Sequence, residues 1–137
     1  MTRLFYLCLF LLACAAPAFA QDPVKVDPDH YKIVLNNSSV RVLRVHYGPH
    51  EKSVMHWHPN SVAIPQSNGR VSFHLPGGKH IEADMVAGQA MWAPAGRHNP
   101  ENLTDSDMDV ILVELKTPRK RPAAKPSNIN SATNSNK

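Results

Sequence analysis

Cysteine is scarce in this sequence, and both of its cysteines, Cys8 and Cys14, lie near the start of the chain. Beyond them the chain has no thiol, so disulfide bonds are excluded there and any metal must be bound by nitrogen and oxygen. No G-x-S-x-G pattern is present, which argues against a serine nucleophile elbow. After the apolar start, no hydrophobic stretch approaches the roughly 20 residues that span a membrane. These absences exclude a disulfide scaffold and give no sign of a later transmembrane segment.

The apolar start of the chain is typical of an export signal. Arg3 precedes an apolar run over residues 4–15, and residues 18–20 form an A-x-A cleavage pattern. We therefore predict that residues 1–20 are a signal peptide and that the protein is periplasmic or secreted. A less favoured alternative is a lipoprotein anchored at Cys14, which follows Leu-Leu-Ala.

Basic charge is concentrated at the other end of the chain. Residues 21–117 carry nine Lys and Arg against eleven Asp and Glu, a net charge of about −2, although the whole chain has a formal charge of +4. Residues 118–137 supply five Lys and Arg in a stretch of Pro, Ala, Ser and Asn. This stretch cannot bury enough surface to offset its ordering entropy, so it predicts a disordered basic tail. Since the folded part has no basic face, we expect no nucleic-acid partner.

Short apolar runs alternate with turn residues through the middle of the chain. They predict nine strands at a spacing typical of an all-β sandwich or barrel. Residues 110–113 are apolar on both faces, which predicts a central strand. We assign residues 30–117 to one β-barrel domain and residues 21–29 to an N-terminal extension. The predicted strands are 31–35, 40–47, 54–58, 61–66, 70–75, 80–85, 90–94, 101–103 and 108–116.

Two histidines alternate along the third predicted strand, which reads Val-Met-His-Trp-His over residues 54–58. Because side chains alternate across a strand, His56 and His58 point to the same face and can both reach one ion. Taken alone, an H-x-H pattern is weak evidence, since surface or hydrogen-bonded histidines produce the same pattern.

A second pattern lies later in the chain and consists of Gly88, Pro94, Gly96, His98 and Asn102. It resembles the second motif of the cupin superfamily, in which a glycine is followed by P-x-G, a histidine and an asparagine. The first cupin motif, which contains an H-x-H, is similar to Gly48, His56, His58 and Gly69. The resemblance covers residues 40–116 and implies a cupin-type jelly-roll β-barrel. It also implies that His98 meets the H-x-H pair inside the barrel as a third metal ligand.

One position departs from the cupin pattern. The glutamate that cupins place after the second histidine falls here on Val62 or Ala63, neither of which can bind a metal. Either three histidines hold the metal alone, as in the similar thiol dioxygenases, or another oxygen donor completes the set. Gln66 and Glu101 are the candidate donors. Some cupins have lost their metal and keep only the barrel, so a metal-free barrel stays an alternative.

Three neutral imidazoles favour a divalent transition metal, such as Fe, Zn, Ni, Co or Cu, over Mg or Ca, which prefer oxygen ligands. Three protein ligands also leave positions open for water or substrate. Ligand pockets are mainly apolar, and Phe73, Met91 and Trp92 are the predicted lining residues. No residue is assigned a catalytic role.

The leading functional hypothesis is an exported cupin-like protein that binds a divalent transition metal and a small organic ligand. A metal-dependent, dioxygenase-type enzyme is one version of it, and whether the protein is an enzyme stays open. The alternative is a non-catalytic binding module that recognises a small molecule without metal. A homodimer is a further prediction, because exposed strands invite pairing with a second chain.

Overall fold

Antiparallel strands form most of the structure, a computed structural model that describes residues 21–117. The predicted signal peptide, the Cys14 anchor and the basic tail lie outside the described residues. Within them, one short helix, α1 (Pro23–Val26), precedes nine strands. The strands are β1 (Tyr31–Asn36), β2 (Val40–Tyr47), β3 (His56–His58), β4 (Ser61–Pro65), β5 (Gly69–His74), β6 (His80–Met85), β7 (Met91–Ala93), β8 (Gly96–Asn102) and β9 (Met108–Leu115).

The strands form two antiparallel sheets, one with the order β1-β2-β9-β4-β7 and the other with the order β3-β8-β5-β6. Side chains from both sheets meet in one core, which includes Leu43 of β2, Val71 of β5 and Leu112 of β9. Two sheets that enclose a single hydrophobic core are the architecture of sandwiches and jelly rolls. The prediction of an all-β fold is therefore confirmed.

The last strand lies in the middle of the five-stranded sheet, between β2 and β4. Its residues alternate between buried and half-buried from Met108 to Glu114. A short run that is apolar on both faces is typical of a strand inside a sheet, and β9 is paired along both of its edges. The central strand predicted for residues 110–113 is confirmed. The same position carries the carboxylate of Glu114 into the interior, where it is 1% exposed.

Strand β8 begins at Gly96, whereas the sequence predicted a strand only from residue 101. That prediction was wrong because Gly, Asn and Pro punctuate this stretch, and a proline inside a strand usually argues against one. Here Pro100 lies inside the strand opposite Phe73, and its carbonyl accepts a hydrogen bond from the Ser53 N–H at 2.9 Å. The other predicted strands agree with the structure to within two residues at each end.

Strand β1 is an edge of its sheet and leaves Ile33, Val34 and Leu35 exposed. An exposed apolar edge offers unpaired backbone groups to another strand. The homodimer stays a prediction, since a single chain does not test it. Over residues 21–117, no helix has the length and apolar character needed to cross a membrane.

Candidate metal centre

Three histidines from two neighbouring strands meet in the interior. β3 supplies His56 and His58, which share a face because they are two residues apart on a strand. β8 supplies His98, which pairs with His56 across the ladder. The ring centroids are separated by 4.7 Å for the β3 pair, and the third ring lies 5.0 Å and 5.2 Å from the other two. One nitrogen of each ring lies within 4.8 Å of the matching nitrogens of the other two rings.

The ring of His56 is fully buried and is oriented by the backbone. Its Nδ1–H donates a hydrogen bond to the Val54 carbonyl at 2.7 Å, and the Ser53 hydroxyl oxygen lies 3.3 Å from the same nitrogen. These acceptors fix the proton on Nδ1, so Nε2 keeps its lone pair. The Tyr31 hydroxyl donates to that lone pair at 3.1 Å and is itself hydrogen-bonded to the Tyr47 hydroxyl at 2.6 Å.

The ring of His58 is oriented by a buried carboxylate. Its Nδ1–H donates to Glu114 Oε1 at 2.7 Å, and the other oxygen of Glu114 accepts a hydrogen bond from Arg41 Nε. Burial alone would raise the pKa of Glu114, but the hydrogen bonds from His58 and Arg41 lower it below its ordinary value. The ionised carboxylate therefore holds the Nδ1 side of His58 and leaves Nε2 as the atom that could bind a metal.

The environment of two of the three rings, His56 and His98, keeps them uncharged. Burial lowers the pKa of His98 to about 3, with further lowering by His58 and His56. Burial and the neighbouring His58 lower the pKa of His56 to about 4. At neutral pH these two rings are therefore in the state that binds a metal, because only an unprotonated ring nitrogen can be a ligand.

This donor set fits a transition metal. Metal-ligating histidines almost always donate their other N–H to a carboxylate or a carbonyl, and here His58 uses a carboxylate and His56 a carbonyl. Neutral nitrogen ligands suit Fe, Co, Ni, Cu and Zn. Three protein ligands leave further coordination positions open to water or to a ligand.

A cavity of about 450 Å³ lies next to His58 and His98. The three residues predicted to line a pocket, Phe73, Met91 and Trp92, all lie on its wall. The Phe73 ring is 5.2 Å from the His98 ring, so it lies beside the histidines. Trp92 is 60% exposed and therefore stands at the opening rather than in the core.

The structure does not bring the two candidate oxygen donors to the histidines. Gln66 is exposed beyond the end of β4, and its side-chain amide donates to the Ile64 carbonyl. Glu101 is three residues from His98 on β8, so strand alternation turns it to the opposite face. Its carboxylate contacts His74 at 2.7 Å and Lys52 at 3.5 Å.

The position of the cupin glutamate is apolar here. Ala63 lines the cavity wall, where it offers no donor atom. Among the described residues, the only group with metal-ligand geometry is the set of three histidines.

Glu114 is a residue of the candidate site that the sequence analysis missed. In the sequence, Glu114 is a single carboxylate directly after the apolar run over residues 110–113. A carboxylate in such a buried strand indicates that a buried group pairs with it. The identity of that partner depends on long-range pairing: β9 places Glu114 opposite Ser61 of β4, three residues after His58. Spacing along the chain carries no information about such a contact.

Comparison with known proteins gives the fold. No protein-family model and no curated protein matches the sequence. Among solved structures, the chain is similar to a cupin domain from Bordetella pertussis, with 22% identity, a TM-score of 0.60, and coverage of 64% of this chain and 92% of that one. It is also similar to an uncharacterised conserved protein with a double-stranded β-helix domain from Klebsiella pneumoniae, with 22% identity, a TM-score of 0.50, and coverage of 62% and 75%. Together with the two-sheet topology, these similarities show that the chain has the cupin fold, the double-stranded β-helix.

Proposed function

We propose that this protein binds a divalent transition metal through His56, His58 and His98 and holds a small, mainly apolar organic ligand in the adjacent cavity. The observation that carries the proposal is the tautomer set by the surroundings of the β3 pair. Acceptors hold both Nδ1 protons, so each Nε2 keeps a lone pair, and at His56 a metal would replace the hydrogen bond from the Tyr31 hydroxyl. Fe, Zn, Ni, Co and Cu are the candidate metals.

The cavity wall indicates the chemistry of the organic ligand. Most of its side chains are apolar, and apart from Trp92 and Arg97 its polar side chains are those of His58, His98, Tyr31, Tyr47 and Ser61. The one cationic side chain on the wall, Arg97, is exposed. A fully ionised or sugar-like molecule would lose its hydration without compensation here. The cavity therefore favours an apolar body with one or two donor atoms at the histidine end.

The arrangement also permits an enzyme of the dioxygenase type. A metal with three histidine ligands supplies Lewis-acid or redox chemistry at its open positions. The residues of the chain would contribute orientation and exclusion of water. Phe73 and Met91 provide an apolar wall, and the Tyr31 hydroxyl offers a hydrogen bond at the edge of the centre.

One observation favours a second candidate function, a binding module without metal. The Tyr31 hydroxyl already satisfies Nε2 of His56 by a hydrogen bond at 3.1 Å. Both ring nitrogens of His56 would therefore have hydrogen-bond partners in a barrel that binds no metal.

Metal analysis of untagged protein, purified from the periplasm of an expressing bacterium, separates the two functions. We expect about one metal per chain, lost in His56→Ala and in His98→Ala. The matched control is His80→Ala, because His80 is exposed and lies outside the centre. Binding of an apolar fluorescent ligand is then measured with and without a chelator. The second function would be established instead if the wild-type protein is purified without metal and binds the fluorescent ligand with the same affinity in the presence and absence of the chelator.

A further inference from the structure

The segment that precedes the first strand lies against the strand that carries two of the histidines. The helix α1 has an aspartate at each end, Asp22 at its N-cap and Asp27 at its C-cap. Just before it, the Gln21 carbonyl accepts a hydrogen bond at 3.0 Å from the N–H of Trp57, the residue between His56 and His58. Residues 21–27, here called the N-terminal clamp, are therefore fixed to β3 rather than free of the barrel.

The C-cap aspartate of the clamp reaches His56 through one serine. Asp27 is 8% exposed, and its carboxylate accepts hydrogen bonds from the Ser53 hydroxyl and from Nδ1–H of His30. Because the Ser53 proton is directed to Asp27, the Ser53 oxygen presents lone pairs to Nδ1–H of His56 at 3.3 Å, as a second acceptor beside the Val54 carbonyl at 2.7 Å. An acceptor on that side fixes the ring and makes Nε2 a stronger donor to a metal.

The N-cap aspartate of the clamp reaches His58 through a chain of charges. Both oxygens of Asp22 lie 3.0 Å from Nη1 of Arg41, whose Nε donates to Glu114. Glu114 then accepts from Nδ1–H of His58 at 2.7 Å. The side chains of Arg41 and Glu114 are 17% and 2% exposed, so water screens this pair weakly, whereas the Asp22 side chain is 29% exposed. Both ends of one short helix thus orient two histidines of the same centre.

We infer that Asp22 and Asp27 are positioning residues of the metal centre, and that docking of the N-terminal clamp and metal binding stabilise each other. The inference rests on the proposed metal site. It follows from linkage: if the docked clamp raises the affinity for the metal, the metal raises the stability of the docked clamp by the same factor. Residues 21–29 are then part of the functional centre rather than an extension of the barrel.

Neutralising each aspartate tests the inference on the full-length processed protein. We expect Asp27→Asn and Asp22→Asn to weaken the binding of Zn²⁺, measured by competition with a chromophoric chelator, about 10–100-fold. Asp29→Asn is the matched control, because Asp29 is exposed and belongs to neither chain of hydrogen bonds. This control removes the same charge only two residues from Asp27, and we expect its affinity to change less than about twofold.

Ser53→Ala separates an effect through hydrogen bonds from an effect through the field of the charge. If Asp27 acts through Ser53, then Ser53→Ala, Asp27→Asn and the double variant all bind Zn²⁺ with the same weakened affinity. Additive losses in the double variant would overturn the role assigned to Asp27. Ser53→Ala removes a single hydroxyl, so it keeps the test valid if Asp27→Asn does not fold.

The visible spectrum of bound Co²⁺ reports geometry rather than stability. We expect the Co²⁺ bands of Asp27→Asn and Asp22→Asn to shift from those of the wild type, while Asp29→Asn keeps the wild-type bands. Wild-type protein that binds no metal would defeat the proposed function itself. Wild-type binding that both clamp variants reproduce in affinity and spectrum would defeat only the inference about the clamp.

Discussion

Neutralising Glu114 should strongly destabilise even the metal-free protein. The Glu114→Gln substitution keeps the size of the side chain but removes the charge that faces both His58 and Arg41. Removing one partner of a buried ion pair costs about 3–5 kcal/mol, because the other charge stays desolvated. Arg41 keeps its contact with Asp22, so we expect the lower end, about 3 kcal/mol. That is a large share of the roughly 5–15 kcal/mol by which a domain is stable.

Unfolding in a chemical denaturant, followed in the presence of a chelator, measures this loss. Glu82→Gln is the matched control, since Glu82 forms an ion pair with Arg70 in which both side chains are at least 40% exposed. Exposed pairs contribute less than about 1 kcal/mol. The reasoning would be refuted by a Glu114→Gln protein that loses no more free energy of unfolding than Glu82→Gln.

Two further predictions concern pH and a buried amide. The pKa values of His56 and His98, about 4 and about 3, lie below the ordinary value of about 6.5, so the unfolded chain takes up protons first as the pH falls. The free energy of unfolding of the metal-free protein should therefore stay constant, as far as these two histidines affect it, above about pH 6.5. Below that pH it should fall by up to about 1.4 kcal/mol per pH unit for each histidine, until the pH reaches the pKa of that histidine in the folded protein. Denaturant midpoints that stay constant down to about pH 5 would contradict this. Asn102 is fully buried, and its side-chain amide donates to the Gly48 and Ser106 carbonyls. Asn102→Ala should therefore lower the free energy of unfolding, measured by thermal unfolding, by about 2–3 kcal/mol. A loss well under about 1 kcal/mol would count against this prediction.

The sequence predicts the strands well because they depend on local periodicity, and it predicts the convergence of the histidines through that periodicity together with the resemblance to the cupin motifs. Alternation along β3 puts His56 and His58 on one face without knowledge of any other strand. The resemblance to the cupin motifs then identifies His98 as the third member of the set. Eight of the nine strands are predicted to within two residues at each end, since apolar runs and turn residues mark their limits.

The groups that orient the histidines could not be predicted, because they depend on strand pairing over long distances. Glu114 reaches His58 only because β9 pairs with β4 in one particular register. Asp27 reaches Ser53 only because the chain before β1 folds back across β3. A residue's own sequence neighbours contain no trace of either contact. The candidate oxygen donors Glu101 and Gln66 follow His98 and His58 in sequence, but the structure places both away from the histidine centre.

The two tryptophans of the chain lie in different places, one on the strand β3 and the other at the cavity. Trp57 sits between two of the histidines on β3, and Trp92 stands largely in solvent at the opening of the cavity. Side chains alternate along a strand, so the indole of Trp57 lies on the face of β3 opposite the histidines, outside the cavity. Indole emission responds to its immediate surroundings, so a change on entry of a molecule into the cavity would come from Trp92. Replacing Trp57 by phenylalanine leaves Trp92 as the single fluorophore of residues 21–117, and the opening of the cavity acquires its own optical signal without an added label.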